Sequence, residues 1–174
     1  MSILILLVRL IHIFSGIFWA GSIFVFAGFI QPAAQATGPD SAKFMQRLLG
    51  GPWAVALTLA PPLTVLAGLT LYWIDSAGLR IEWIGSPSGI GFTVGGLVGL
   101  TAFFIGFFPL RRTSLKLTAL NTEIHAAGRA PTREESSRAE AFQVQMTTYV
   151  LYTAICLAVA VAAMATSRYW GALF

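Results

Sequence analysis

The sequence predicts an all-α integral membrane protein, built as a four-helix bundle with a helical hairpin between the third and fourth helices. Of its 174 residues, 56% are hydrophobic and 10% are charged, whereas soluble domains carry about 25% charged residues. Four apolar stretches reach the length of about 20 residues that a helix needs to cross a bilayer. They cover residues 3–30, 53–74, 90–110 and 149–169. We therefore expect a single membrane domain over residues 1–174.

The first stretch is the longest, and it contains the most unusual residues of the chain. Away from the ends of the four stretches, Arg9 and His12 are the only Arg, Lys, His, Asp or Glu residues. The segment Ala34-Gln35-Ala36 resembles a signal-peptide cleavage site, but an h-region is only about 7–15 residues long. We expect this much longer stretch to be retained as the first helix.

Small residues recur in the third and fourth stretches at helical spacing. Gly91, Gly95 and Gly99 follow one another at steps of four, and so do the alanines at positions 154, 158 and 162. Small residues at this spacing let helix backbones approach closely. We expect these stripes to pack within one chain, with homodimerisation as the alternative.

The third loop has the pattern of a helical hairpin. Apolar residues recur with helical spacing up to Ala127, and Gly128 is placed to end that helix. The segment from Thr132 to Glu135 then reads as a capping box, which predicts that the fourth helix begins there. The hairpin would occupy about residues 111–148.

Positive charge is unevenly distributed between the two sides of the predicted bundle. One side has only Arg80 and Arg168, with Arg9 just inside the first helix. The positive-inside rule predicts a multi-pass protein of the bacterial inner membrane with both termini outside and the third loop in the cytoplasm. Eight basic residues lie on the predicted cytoplasmic side, namely Lys43, Arg47, Arg111, Arg112, Lys116, Arg129, Arg133 and Arg138.

The candidate site lies on one side of the first helix. Arg9, His12, Ser15, Gly16 and Trp19 recur at steps of three and four, which places them along one face. A charge or imidazole at bilayer depth is expensive, and such residues usually face the interior of a bundle and have a function.

Several kinds of chemistry fit this face. A neutral imidazole can ligate haem iron or a copper ion, or relay a proton. Gly16 would leave room for a flat macrocycle, Trp19 could stack on it, and Arg9 could pair with a propionate or an anionic headgroup. The structural alternative is that Arg9 reaches the outer interface while His12 hydrogen-bonds to a carbonyl or hydroxyl across the bundle.

A second axial ligand is less easily found in the sequence. The other histidine, His125, lies in the predicted hairpin and is too far away. By depth, Met164 in the fourth helix is the best candidate within one chain. The alternative is His12 of a second protomer, which would make a bis-histidine site.

The sequence contains no motif that supports another class of function. The sequence contains no catalytic or nucleotide-binding motif in a fitting context, and no basic–aromatic strip predicts nucleic-acid binding. Whether the chain is an enzyme is left open. The lone Cys156 is expected to behave as a small apolar residue.

The first 75 residues resemble two related groups of small bacterial membrane proteins. The likeness rests on Arg9-x2-His12-x6-Trp19-x-Gly21, on the segment at residues 44–53, and on the segment at residues 62–69. The groups are the copper-resistance-D-type membrane domain and the HemJ-type protoporphyrinogen oxidase, which binds haem b. The resemblance implies that His12 ligates haem or copper. The later stretches carry no second histidine and no lysine, a departure from the oxidase type.

These observations predict a b-type haem protein with a redox or haem-handling role through His12, with Arg9, Gly16, Trp19 and Met164 around the cofactor. The alternative is an accessory subunit of a larger respiratory or photosynthetic membrane complex that binds no cofactor. Copper handling, with His12 as the metal ligand, is a third hypothesis. The expected partners are the lipid bilayer and a second copy or a larger membrane complex.

Overall fold

The computed structural model describes residues 3–172, and within that range the secondary structure is helical. Four helices are long and apolar enough to cross a membrane, as expected for a multi-pass membrane protein. In a bilayer, every backbone N–H and C=O must find a partner within the protein, and a helix provides those partners along its own length. The two termini, predicted to lie outside, fall outside the described residues.

The helices follow one another along the chain with short connections. The four long ones are α1, α3, α5 and α6. Two short ones, α2 and α4, lie in the first and second connections. The bounds are α1 (Ile3–Thr37), α2 (Ala42–Gly50), α3 (Pro52–Asp75), α4 (Ile81–Ile84), α5 (Pro87–Ala126) and α6 (Arg133–Ala172).

Two of the long helices contain a π-helical turn where the predicted apolar stretch ends. The turn in α1 covers Phe26–Ile30, and the turn in α5 covers Gly106–Leu110. Both helices continue beyond these turns. With 35 residues, α1 is about 52 Å long at 1.5 Å per residue, well beyond a hydrocarbon core of about 30 Å.

Local sequence signals account for the helix starts. Ser86 caps α5, because its side chain accepts a hydrogen bond from Gly89 N at 3.1 Å, and Pro87 occupies the first turn. Thr132 caps α6 in a capping box with Glu135, as predicted. Gly128, in the turn before it, has a φ of +61°, a conformation that favours glycine.

The long helices are arranged as two closely packed pairs. Helix α1 packs mainly against α3, and α5 packs mainly against α6, while contacts between the pairs are fewer. All four helices meet at one buried cluster, which includes Trp19, Ile23, Ala60, Ala102 and Leu157. The segment 111–148, here called the arm, consists of the last part of α5 and the first part of α6, which pack side by side. The arm end of the helices is the end from which this segment leaves.

The glycine stripe of α5 packs within the chain, as predicted. A Cβ at Gly91 would lie 2.9 Å from Ser167 Cα, and one at Gly95 would lie 3.1 Å from the Ala160 carbonyl oxygen. The stripe expected on α6 holds only at Ala154, which packs against the buried cluster, and is wrong at Ala158 and Ala162, which are exposed. The buried face of α6 consists of Val150, Thr153, Leu157, Ala160 and Ala163.

Candidate functional site

His12 points from α1 toward α3, and its ring hydrogen-bonds to the backbone of that helix. The Nδ1 atom lies 2.8 Å from the carbonyl oxygen of Thr64. A carbonyl oxygen can only accept a hydrogen bond, so the proton must be on Nδ1. In the neutral imidazole, the Nε2 lone pair is then the one left to bind a metal or accept a proton.

The imidazole ring rests on Gly68, one turn further along α3. A Cβ at Gly68 would lie 2.8 Å from His12 Cε1 and 3.0 Å from Nδ1, but 3.8 Å from Nε2. Any side chain larger than hydrogen would therefore push the ring away from Thr64. Nδ1 is the ring nitrogen turned toward α3, and Nε2 is the more distant one.

Two hydroxyl groups, those of Ser15 and Thr64, connect α1 and α3 next to the carbonyl that accepts the His12 hydrogen bond. Ser15 Oγ donates to the Ile11 carbonyl at 2.6 Å. Thr64 Oγ1 lies 2.8 Å from Ser15 Oγ and 2.8 Å from the Ala60 carbonyl oxygen. Because Thr64 is buried, its carbonyl presents a fixed target to His12.

The second ring nitrogen of His12 is accessible. Within residues 3–172, every side-chain nitrogen or oxygen that is fully buried has a hydrogen-bond partner. His12 Nε2 has no such partner in that range, and the residue is half-buried. Nε2 therefore retains accessible surface.

Arg9 forms an ion pair with Asp75, the last residue of α3. The Arg9 Nη2 and Asp75 Oδ2 atoms are 3.8 Å apart, and the side chains are 34% and 40% exposed. The cation predicted to meet a propionate or a headgroup thus already has a partner in the protein. Its partial exposure still leaves room for a second anionic contact.

Gly16 and Trp19 share the His12 face of α1, and both contribute to helix packing. A Cβ at Gly16 would lie 3.4 Å from Thr64 Cγ2, so this glycine brings α1 close to α3. Trp19 is only 5% exposed and belongs to the cluster where the four helices meet. The room that Gly16 leaves is therefore occupied by the methyl group of Thr64.

Met164 packs in a different helix interface from His12. Its side chain covers Gly95, where a Cβ would lie 2.6 Å from Met164 Cγ. It therefore belongs to the α5–α6 pair, whereas His12 belongs to the α1–α3 pair. Among the described residues, no group of three or more His, Cys, Asp or Glu side chains is placed to hold a metal ion.

Comparisons of the chain with protein-family models, with curated proteins and with solved structures give no match. The resemblance to the copper-resistance-D and HemJ types therefore stays a prediction.

Sequence reasoning missed the residues that surround His12 and Arg9. Thr64, Gly68 and Asp75 all come from α3, between 52 and 66 positions further along the chain than their partners. A carbonyl partner for His12 was one of the alternatives, and the structure identifies which carbonyl it is. Asp75 could have been found, because it directly follows the second predicted stretch, at the end that also holds Arg9.

Proposed function

We propose that this chain is a b-type haem protein of the bacterial inner membrane, with His12 Nε2 as the axial ligand and a redox or haem-handling role. The single observation that carries the proposal is the hydrogen bond from His12 Nδ1 to the Thr64 carbonyl oxygen, at 2.8 Å. Histidines that bind metals almost always donate their other ring N–H to a carbonyl or carboxylate. His12 has that arrangement within an apolar helix.

The residues around the ring fit this role. Gly68 leaves space for the imidazole, and Ser15 and Thr64 fix the helix that accepts its proton. The ring is thus oriented before any ligand arrives, and Nε2 is accessible. A haem held there would supply one-electron chemistry, at a potential set by the axial ligand and the polarity of the surroundings.

We propose that the iron has either one protein ligand or a second His12 from another copy of the chain. Predicted depth made Met164 a candidate for the second axial ligand. Its side chain is packed against Gly95 on the other helix pair, which makes it less suitable for that role. Arg9, partly exposed beside Asp75, is the cation available to a propionate near the same end of α1.

The proposal includes an orientation in the membrane. The four long helices would form one bundle, with the arm in the cytoplasm and both termini outside. The support is the distribution of Lys and Arg, since the arm itself holds six of the eleven basic residues. His12 would then lie in the outer half of the bilayer.

A reduced-minus-oxidised visible spectrum of the protein, purified in mild detergent with its natural cofactor content, tests the haem assignment. We expect a Soret band and an α-band in the wild type and in His125→Ala, the matched control at the other histidine. Both bands should be lost in His12→Ala. Size-exclusion chromatography would verify that each variant is folded.

The other hypotheses predict different results in the same experiment. Folded wild-type protein with a featureless spectrum would contradict haem binding and favour an accessory subunit. A featureless spectrum together with copper that is retained by the wild type and lost in His12→Ala would favour copper handling. Haem that persists in His12→Ala would show that another residue is the ligand.

A further inference from the structure

An aromatic cavity of about 320 Å³ lies at the arm end of the four helices, between the α1–α3 pair and the α5–α6 pair. Two stacked aromatic pairs form much of its wall. Phe26 and Trp53 stack with ring centroids 5.8 Å apart, and Phe103 and Phe107 stack at 5.2 Å. Small-molecule sites have volumes of about 300–1,000 Å³, so this cavity fits one ring group and is small for a tetrapyrrole.

The inner wall of the cavity includes a hydrogen-bond donor without a partner. Trp19 lines the cavity and is only 5% exposed. Every fully buried side-chain nitrogen or oxygen within residues 3–172 has a hydrogen-bond partner. The Trp19 indole N–H has no partner in that range. Its nitrogen must therefore retain accessible surface, and the cavity is the open space that Trp19 lines. A buried indole N–H usually has a hydrogen-bond partner.

Backbone acceptors lie on the α3 side of the same cavity. Pro61 and Pro62 have no N–H, so they cannot donate to the carbonyls one turn earlier, at Leu57 and Thr58. Leu57, Thr58 and Pro61 all line the cavity. The walls thus combine aromatic rings with the Trp19 N–H and these two acceptors, and they also include the polar side chains of Trp53, Ser114, Thr153 and Arg111.

We propose that this cavity binds the ring of a membrane quinone and of its quinol. A quinone carbonyl would accept the hydrogen bond of the Trp19 indole, and a quinol hydroxyl would donate to the carbonyl of Leu57 or Thr58. The aromatic walls suit a flat ring, since aromatic rings prefer stacked or edge-to-face neighbours. The apolar tail of such a molecule would extend among the surrounding lipid chains.

An anionic lipid is the main competitor for this cavity, and Arg111 distinguishes the two ligands. Arg111 lies at the cavity, with its guanidinium 5.5 Å from the centre of the Phe107 ring. A lipid phosphate would need this cation, whereas an uncharged quinone would not. The unpartnered Trp19 N–H and the two freed carbonyls favour the ligand that has oxygen atoms on its ring.

Isothermal titration calorimetry of the full-length protein with decylubiquinone and with its quinol, corrected for the heat of mixing with empty micelles, tests the proposal. Trp19→Phe keeps an aromatic side chain, although a smaller one, and removes one neutral hydrogen bond, so we expect the Kd to rise about five- to tenfold. The exposed Trp73→Phe is its matched control and should leave the Kd unchanged.

A second variant blocks the cavity itself. At Gly106, which lines the cavity, a Cβ would make only ordinary contacts, the nearest at 3.9 Å to Thr153 Cγ2. We expect the larger side chain of Gly106→Leu to abolish decylubiquinone binding. Gly96→Leu is its control, because a Cβ at Gly96 would meet nothing within 4 Å.

Three results would overturn the proposal. These are no binding to folded wild-type protein, unchanged binding in both Trp19→Phe and Gly106→Leu, and loss of binding in Arg111→Gln with Trp19→Phe unaffected. The last result would point to an anionic lipid. The proposal does not depend on haem at His12, because it is measured as quinone binding, whereas the haem assignment is measured as a visible spectrum.

Discussion

The two helix pairs are held together in different ways. The α1–α3 interface contains polar groups, with His12 on the Thr64 carbonyl and Arg9 beside Asp75. The α5–α6 interface depends on close approach, with Gly91 and Gly95 against α6. Lipid provides no hydrophobic driving force between helices, so packing of small residues and interhelical hydrogen bonds are the available contacts. The α5–α6 pair uses mainly close packing of small residues. The α1–α3 pair adds interhelical polar contacts to the close approach at Gly16 and Gly68.

The largest effect is expected in the glycine interface. In Gly91→Ala, the new Cβ would lie 2.8 Å from Ser167 Cβ and 2.9 Å from its Cα, so the backbones of α5 and α6 must separate. We expect a loss of about 1–3 kcal/mol in the free energy of unfolding, the usual cost of overpacking. Denaturant titration in detergent micelles, followed by circular dichroism, would measure it.

Gly99→Ala is the matched control for that measurement. It makes the same change two turns further along α5, where the Cβ would lie 3.8 Å from Ala160 Cβ, an ordinary contact. We expect this variant to be neutral, or more stable by up to about 1 kcal/mol from helix propensity. Equal destabilisation by both variants would mean that the α5–α6 pair does not pack through Gly91.

A glycine substitution in the α1–α3 interface should destabilise the protein less, and its effect should depend on the His12 side chain. In Gly68→Ala, the new Cβ would displace the His12 ring and break its hydrogen bond to Thr64. We expect a loss of about 1–2 kcal/mol in the free energy of unfolding. In a His12→Ala background the same change should have almost no effect, since the ring that it displaces is gone.

That double-mutant cycle would measure the interaction between the His12 ring and Gly68. A coupling of at least about 1 kcal/mol between positions 12 and 68 places the ring on Gly68, whereas additive effects would separate the two residues. Nitrogen-15 NMR of labelled histidine offers a direct second measurement. We expect a protonated Nδ1 in the wild type and a changed His12 signal in Gly68→Ala.

The sequence predicted well what depends on neighbours along the chain. The four long apolar helices, the break at Gly128 and the capping box at Thr132 all follow from local patterns, and the structure confirms them. The shared face of Arg9, His12 and Trp19 follows in the same way from their spacing. These features need no knowledge of how one helix is rotated against another.

The partners across helix interfaces could not be predicted in this way. A helix that is apolar all round has no polar face to set its rotation. The predicted stripe on α6 therefore included Ala158 and Ala162 besides Ala154, although Ala160 is the residue against α5. Met164 shows the same limit. It was chosen by its predicted depth, and depth does not determine which neighbouring helix a side chain faces.

The smallest expected effect lies outside both pairs, at the capping box of the arm. Glu135 accepts hydrogen bonds from Arg129 and from the Thr132 backbone N–H, and these contacts lower the Glu135 pKa to about 2 from its usual 4.5. A carboxylate with a lowered folded-state pKa stabilises the fold above its unfolded pKa, and this contribution is lost as pH falls. The start of α6 should therefore be most stable above about pH 4.5 and weaken toward about pH 2.

Carbon-13 NMR of labelled glutamate side chains in micelles would follow this titration. Glu135→Gln should increase amide exchange at the start of α6 near neutral pH, whereas Glu134→Gln, the neighbour outside the capping box, should not. The pair is exposed, so added salt should weaken the effect. If the Glu135 carboxyl titrates at its ordinary pKa, the ion pair with Arg129 does not form in solution. The arm would then depend on packing between α5 and α6 alone, as the glycine interface does.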